Sequence, residues 1–214
     1  MTISTRIIVL NTTKVGDRSL VIHALSRDLG RRSFIVSVGG RGGTALWQPL
    51  SIVDCEVMEN PKSDLWRLRG VSAAYPLAGL RGDLSRGAVS LFMAEVLYRT
   101  VREGAEPGLY EWCERSILTL DALSGSYANY HLRWLLELSS ALGFTPSSED
   151  LAPYAGEHYR DILELMGPYD AALLLPLSGS ARSEIADSLL QYLSAHLEYQ
   201  LNIRSLSVLG GVFR

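Results

Sequence analysis

Basic side chains are the residues with the clearest potential for chemistry in the first third of the chain. Residues 1–77 contain ten Lys and Arg against six Asp and Glu, a net charge of +4, whereas the remainder carries −7. Ammonium and guanidinium groups bind phosphates, and a basic segment of this kind is typical of polyanion binding. Six of these side chains are candidates for contacts with a nucleic-acid backbone: Lys14, Arg18, Arg31, Arg32, Arg41 and Lys62.

Catalytic chemistry has little support in the residue pattern. The four histidines are far apart in the chain, and no H-E-x-x-H, G-x-S-x-G or G-K-[ST] motif occurs. The glycine loop around Arg41 lacks the Lys-Ser/Thr ending and the following helix of a P-loop. We expect this loop either to offer Arg41 to a nucleic-acid backbone or to be a plain connection. The sequence therefore predicts no catalytic residue and no cofactor, and a protein that is not an enzyme.

The two cysteines also exclude some classes of site. Cys55 and Cys113 are isolated, so they cannot form a four-cysteine zinc site or a disulfide framework. We expect free, buried thiols and no metal. No apolar run reaches the roughly 18–20 residues of a membrane span, and the first residues do not resemble a secretory signal. A cytoplasmic protein without membrane contact is expected.

Five short segments with β-branched or alternating apolar residues occupy residues 5–75. They are Arg6–Leu10, Leu20–Leu25, Ser33–Val38, Leu50–Met58 and Leu65–Val71. Five strands of period two in so short a stretch predict a small closed barrel, of which the OB-fold is the commonest. In that fold the loops between strands 1 and 2 and between strands 4 and 5 flank the binding face. Lys14 and Arg18 are predicted to lie in the first loop and Lys62 in the second, while Arg31 and Arg32 begin strand 3.

Strand 5 carries two further arginines that have a structural explanation. If Val57 pairs with Leu68, then Glu56 lies opposite Arg69 and Met58 lies opposite Arg67. Arg69 is then expected to form a cross-strand ion pair with Glu56. Trp47 and Trp66 could stack on bases, but the alternation in strand 5 favours core packing for Trp66.

From Asp83 onward the apolar residues follow a helical period. Helices are predicted from Asp83 to about Glu103, from Pro107 to about Leu123, from Ser126 to Gly143, and from about Ser183 to Leu201. Residues 144–180 contain several Pro, Gly and Ser breaks, and the apolar run Ala171–Leu177 is either a strand or a packed loop. We therefore predict an α+β protein with an OB-fold domain in residues 1–77 and a mainly α-helical domain in residues 78–214.

The order of several short motifs resembles that of the bacterial recombination mediator RecO, in the form that lacks zinc cysteines. The matching stretches include Thr5–Leu10, Lys14–Leu20, Gln48–Leu50, Leu91–Tyr98, Asn129–Leu132, Leu142–Pro146, Tyr192–Leu197 and Arg204–Leu206. No single stretch is diagnostic, but their order and spacing over some 200 residues carry the resemblance.

The resemblance implies a DNA repair and recombination mediator, expected in the cytoplasm in association with the nucleoid. Members of this family bind single- and double-stranded DNA and anneal complementary strands. They also pair with RecR, engage the C-terminal tail of single-stranded DNA-binding protein (SSB), and help to load RecA. Many carry four zinc-binding cysteines in the C-terminal domain, whereas residues 144–180 of this chain have none.

Two other interpretations remain open from the residues alone. The barrel could be a module that binds protein, in which case its charge is incidental, since +4 is modest for a DNA-binding domain. A small-molecule enzyme would need polar side chains that converge in one pocket. Salt-dependent affinity for single-stranded DNA separates the DNA-binding interpretation from the protein-binding one.

Overall fold

A computed structural model describes residues 2–37, 44–125 and 127–213. These residues form two compact units. The first unit contains the chain up to Ala78 together with Met93–Ile117, and the second contains Gly79–Phe92 and the chain from Leu118 onward. The domain boundary between residues 77 and 78 stays a prediction.

The first unit is built on a closed five-stranded barrel, as predicted. The strands are β1 (Thr2–Val15), β2 (Ser19–Ser26), β3 (Gly30–Ser37), β4 (Ile52–Met58) and β5 (Trp66–Ala73). Their order is β1-β2-β3-β5-β4, and β1 also pairs with β4 to close the barrel. The β3–β5 pair is parallel and the other pairs are antiparallel, which is the arrangement of an OB-fold.

Period-two alternation decides which side chains fill the barrel. Phe34 and Val36 of β3 point inward, and the residues between them are more exposed. Trp47, in the 3₁₀ helix Ala45–Trp47, and Trp66 at the start of β5 are both buried in the same core. The preference for core packing of Trp66 over base stacking is therefore confirmed.

Strand β1 is longer than the sequence predicted. The register with β2 shifts between Val9 and Asn11, and residues 11–15 then pair with β2 as an exposed hairpin arm, while the same part of β2 pairs with β3 on its other side. The predicted loop position of Lys14 is therefore wrong, because Lys14 lies within β1 opposite Leu20. Arg18 lies in the turn that joins the two strands.

The described helices follow the barrel in the chain. They are α1 (Ala78–Gly82), α2 (Leu84–Thr100), α3 (Pro107–Ala122), α4 (Tyr130–Ala141), α5 (Ser148–Ala155), α6 (Tyr159–Met166), α7 (Tyr169–Leu174), α8 (Gly179–Leu197) and α9 (Ser205–Val212). A 3₁₀ turn, Gly156–His158, precedes α6. As expected, the carboxylate of Asp83 caps α2 by accepting the backbone N–H of Arg86 at 2.9 Å, and Pro107 begins α3.

The bounds of two helices, α4 and α8, and the structure of one segment differ from the predictions. Helix α4 begins at Tyr130 rather than at Ser126, which lies outside the described residues. The run Ala171–Leu177 is neither a strand nor simply a loop, because its first part completes α7. Helix α8 begins at Gly179 and ends at Leu197, and α9 forms from the apolar residues after it.

Side chains at the start of α4 hold the segment of short helices in place. The Nδ2 of Asn129, which is 1% exposed, donates to the carbonyl oxygen of Leu175 at 2.8 Å and also to those of Ala172 and Leu173. Nη1 of Arg133 donates to the carbonyl oxygens of Leu165 and Gly167, at 2.8 and 2.9 Å. These bonds satisfy backbone groups at the ends of α6 and α7, which no intrahelical partner can reach. They explain how the segment is ordered without cysteine ligands.

The second unit is organised around α8, which packs against α4, α5 and α9. Ile185, Leu189 and Leu193 of α8 are buried together with Trp134 and Leu138 of α4. In residues 2–37, 44–125 and 127–213, no helix is both long enough and apolar enough to cross a membrane.

Both cysteines are free and buried, as expected. Burial raises the pKa of the Cys55 thiol to about 12 and also raises the pKa of Cys113. Since the thiolate is the reactive form, both side chains behave as small apolar core residues at neutral pH.

Candidate nucleic-acid interface

Three adjacent strands form a continuous outer face on the barrel. The register places His23 opposite Ser33 and Val21 opposite Ile35, and Ile35 lies beside Arg67 of β5. Side chains two residues apart share a face, so Arg69 lies on the same face as Arg67. We call this the β2–β3–β5 surface, defined by six residues: Val21, His23, Ser33, Ile35, Arg67 and Arg69.

The six predicted contact residues fall into separate groups around this surface. Lys14 and Arg18 are exposed on the β1–β2 hairpin, at the end of β3 that carries Ser37. Arg31 and Arg32 lie at the opposite end of β3, about 20 Å away at the usual rise per strand residue.

The last two predicted residues lie in connections between strands. Lys62 is exposed in the connection between β4 and β5. Arg41 lies outside the described residues. The structure therefore brings Arg31 and Arg32 together and leaves Lys14, Arg18 and Lys62 at the borders of the β2–β3–β5 surface.

The two arginines that begin β3 have fixed side-chain positions. Nη1 of Arg31 donates to the carbonyl oxygen of Tyr98 at 2.9 Å, and the guanidinium carbon lies 5.6 Å from the centre of the Tyr98 ring. The guanidinium carbon of Arg32 lies 4.1 Å from the centre of the Trp66 ring, which is a close cation–π contact. Both side chains are half-buried, so they present pre-oriented donors.

Arg67 and Arg69 belong with the candidate residues, although the sequence favoured a structural role for Arg69. The predicted register is confirmed, with Val57 opposite Leu68 and Glu56 opposite Arg69. Across the part of the chain that the structure describes, however, no ion pair joins Glu56 and Arg69 within 4.0 Å. The register specifies which residues are neighbours, but it does not specify where the charged groups of two exposed, flexible side chains lie. Both arginines are therefore exposed cations on the outer face.

Two other barrel arginines are occupied by acids and are poor candidates. Nε of Arg6 binds Asp54 at 2.7 Å, and its Nη1 binds Glu114 at 2.9 Å. Arg27 pairs with Glu111 at 3.4 Å. These ion pairs occupy the guanidinium groups of Arg6 and Arg27, which are therefore less available to a phosphate than those of Arg67 and Arg69.

His23 adds a neutral polar group to this surface. Its Nδ1 lies 2.8 Å from Oγ of Ser33, and its ring packs on Tyr98 at 5.3 Å between ring centres. Burial lowers the pKa of His23, and the nearby charge of Arg31 lowers it further. His23 is therefore a neutral hydrogen-bonding group at neutral pH.

One group of side chains in the second unit has the composition of a metal site. Ligand atoms of Glu157, His158 and Glu184 lie within 4.8 Å of one another. Both ring nitrogens of His158 already hydrogen-bond with carboxylates, Nδ1 with Asp161 at 3.1 Å and Nε2 with Glu184 at 3.0 Å. These bonds raise the pKa of His158, so the arrangement favours an ion-paired imidazolium over a metal ligand. The absence of a metal remains a prediction.

The fold and its charge distribution define an OB-fold protein with a cationic outer face and a helical second unit. Two family models match the chain: Recombination protein O N terminal over residues 1–76, and Recombination protein O C terminal over residues 81–152. The chain belongs to the recombination protein O family, RecO, as the sequence motifs predicted.

Similar curated proteins carry the name DNA repair protein RecO. The protein from Phocaeicola vulgatus is 38% identical over 148 residues, which cover 67% of this chain and 61% of that protein. The one from Bacteroides fragilis is 34% identical over 157 residues, 71% of this chain and 64% of that protein. This chain thus spans less than two thirds of these two relatives. This chain is 27% identical to the protein from Porphyromonas gingivalis over an alignment of 244 residues that covers all of both chains.

Proposed function

We propose that this protein is a DNA repair and recombination mediator that binds single- and double-stranded DNA through its barrel. The observation that carries the proposal is the pair Arg67 and Arg69, exposed and without an acidic partner in the described structure, on the outer face of an OB-fold. Relatives named DNA repair protein RecO support the same role.

Phosphates are the part of DNA that this surface fits best. The cationic side chains border a strip that contains the half-buried apolar residues Val21 and Ile35. The contact set is Lys14, Arg18, Arg31, Arg32, Arg41, Lys62, Arg67 and Arg69. Since Trp47 and Trp66 are buried, neither offers a ring to stacked bases. Binding is then mainly electrostatic, tolerant of sequence and sensitive to salt.

Strand annealing follows from the same chemistry. Cations that neutralise phosphates reduce the repulsion between two complementary strands. Bases that are not held by aromatic platforms keep their Watson–Crick edges free to pair. No covalent step is required, which agrees with the sequence-based prediction of no catalytic residue and no cofactor. By family resemblance, the partners are RecR and the C-terminal tail of SSB, and the mediator helps RecR to load RecA on SSB-coated strands.

Equilibrium titration of single-stranded DNA tests this function. The double charge reversal Arg67→Glu and Arg69→Glu should lower affinity about ten- to hundredfold at moderate salt. The double variant Arg115→Glu and Arg160→Glu is the matched control, because it changes the net charge equally and both side chains are exposed on helices, α3 and α6, outside the barrel. Equal affinities for the Arg67/Arg69 variant and the Arg115/Arg160 variant would rule out this binding face. A wild-type protein without salt-dependent affinity would instead favour a barrel that binds only protein.

A further inference from the structure

A pocket of about 420 Å³ opens beside the β2–β3–β5 surface. All of its lining residues belong to the first unit. One wall is the start of β3, with Arg31 and Arg32, and a second is the end of the β4–β5 connection, with Asp64. The other walls are the last turn of α2, with Tyr98, and the segment after α2, with Glu103.

The walls are held together by specific backbone contacts. Gly30, with φ +68, lies against the backbone of Gly104 and forms a bridge with Glu103. One residue further on, Arg31 donates to the carbonyl oxygen of Tyr98. The pocket therefore exists before any ligand binds, which lowers the cost of ordering its donors on binding.

The pocket is lined by charged side chains of both signs that, in the described structure, do not form ion pairs with each other. Arg31 and Arg32 face a space that Asp64 and Glu103 also line, yet no ion pair within 4.0 Å joins these residues in the described structure. A simple anion would be attracted by the arginines and repelled by the carboxylates. A ligand that carries both a negative group and hydrogen-bond donors satisfies both kinds of side chain.

Arg32 supplies a flat surface for such a ligand. One face of its guanidinium rests on the Trp66 ring, which fixes the plane of the group. Guanidinium planes stack on unpaired nucleobases in many single-strand complexes. Arg32 also lines the pocket, so a base that enters there meets its guanidinium group.

We propose that the pocket takes one nucleotide of a bound single strand. The base stacks on Arg32 and donates an amino hydrogen to Asp64 or Glu103, while the adjacent phosphate accepts from Arg31. This inference rests on the proposed DNA binding and adds a base preference to it. Adenine, cytosine and guanine carry exocyclic amino groups, whereas thymine has none. The one ring N–H donor of thymine lies between two carbonyl oxygens, which a carboxylate repels. Thymine should therefore be the least favoured base.

Competition between oligo-dC and oligo-dT of equal length tests the preference with the full chain. We expect oligo-dC to bind about fivefold more tightly, the lower end of what one specific base contact contributes. The double variant Asp64→Ala and Glu103→Ala should bind both oligomers at least as well as the wild type, with the preference lost. The double variant Asp17→Ala and Glu164→Ala, which removes two exposed carboxylates outside the pocket, is the matched control and should retain the preference.

Nuclear magnetic resonance locates the contact independently of overall affinity. Addition of dCMP should shift the backbone amide signals of Ser33, Leu65 and Tyr98, and Arg32→Ala should abolish these shifts. Equal binding of the two oligomers by the wild type, or a preference that survives in the double variant, would overturn the pocket assignment. In either case the proposed function stands if both oligomers bind with salt-dependent affinity. It fails if neither oligomer binds or if the wild-type affinity does not change with salt.

Discussion

Gly30 lies directly against the backbone of Gly104, and this contact joins the β2–β3 turn to the segment that follows α2. A Cβ on Gly30 would overlap the carbonyl group of Gly104. Gly30 also has φ +68, a left-handed conformation that side chains disfavour. Two independent requirements for glycine therefore meet at one residue. The contact positions Arg31 and Glu103 on facing walls of the same pocket.

Gly30→Ala should lower the free energy of unfolding by about 2–4 kcal/mol, from backbone strain together with the steric overlap. Gly16→Ala is the control, because Gly16 has φ +63 but no atom within 4 Å of an added Cβ. The Gly16 variant should lose only about 1 kcal/mol. Urea denaturation of both variants measures the difference, and equal losses would show that the Gly104 contact is not restrictive.

Arg6 should contribute more to stability than Arg27, although both form ion pairs. Arg6 bonds to Asp54 and Glu114 and lies over the Tyr75 ring, with one third of its side chain exposed. Arg6→Met is expected to cost about 1–2 kcal/mol. Arg27→Met should cost no more than about 0.5 kcal/mol, because an exposed pair is screened by water. Thermal denaturation at matched salt compares them, and the reverse order would contradict this assignment.

Asn129 should be essential for the order of the segment after α4. Asn129→Asp replaces the donor group with a carboxylate that faces backbone carbonyl oxygens, so we expect a loss of about 2–4 kcal/mol at neutral pH. Asn129→Ala removes the donors without adding a charge and should lose less. Hydrogen exchange of the α7 amides should quicken in both variants. Unchanged exchange would mean that packing alone holds α7.

The buried His131 should make the protein sensitive to mild acid. Burial, reinforced by Arg182, lowers the pKa of His131 from 6.5 to about 3. As the pH falls, His131 is therefore protonated in the unfolded chain before it is protonated in the folded protein. The free energy of unfolding, which is unaffected by this group above pH 6.5, decreases as the pH falls towards 3. Between pH 7 and pH 5 this loss is about 2 kcal/mol. His131→Phe should remove it, as measured by denaturation at the two pH values.

His158 provides a comparison of opposite sign. Its carboxylate partners Asp161 and Glu184 raise its pKa, so its stabilising contribution is complete below pH 6.5 and is lost as the pH rises through the folded-state pKa. His158→Gln should therefore destabilise the protein more in mild acid than in mild alkali. For the preceding prediction, a His131→Phe variant that kept the pH dependence of the wild type would show that a group other than His131 controls stability in acid.

Much of the barrel was predictable because alternation is a local signal that specifies a face. The run around Val57 and the run around Leu68 each have one apolar face, and a slip of one residue would turn one of these faces outward. The pairing considered from the sequence, Val57 opposite Leu68, is the one observed. The outer part of β1 was not predictable in this way. Residues 11–15 are exposed and, except for Val15, polar, and they pair as a strand only with β2.

In the helical part, the length of a helix limited what the sequence could predict. Long helices such as α2 and α8 have enough turns to display a period. Helices α5, α6 and α7 have eight residues or fewer, which is too short to display a clear period. The ends of α6 and α7 are also held by Arg133 and Asn129, which are distant in sequence. In the candidate interface, the sequence identified the cations. It did not identify which of these cations would form ion pairs with acidic side chains. For that reason Arg67 and Arg69 were not among the predicted contact residues.

The salt dependence of single-stranded DNA affinity tests the central claim most directly. For the wild-type chain, the logarithm of the association constant should fall linearly with the logarithm of salt concentration. Each phosphate contact removed should reduce the slope by about 0.7, so Arg67→Ala with Arg69→Ala should lower it by about 1.4. A wild-type affinity that does not change with salt, or a slope that the double variant leaves intact, would contradict DNA binding through this surface.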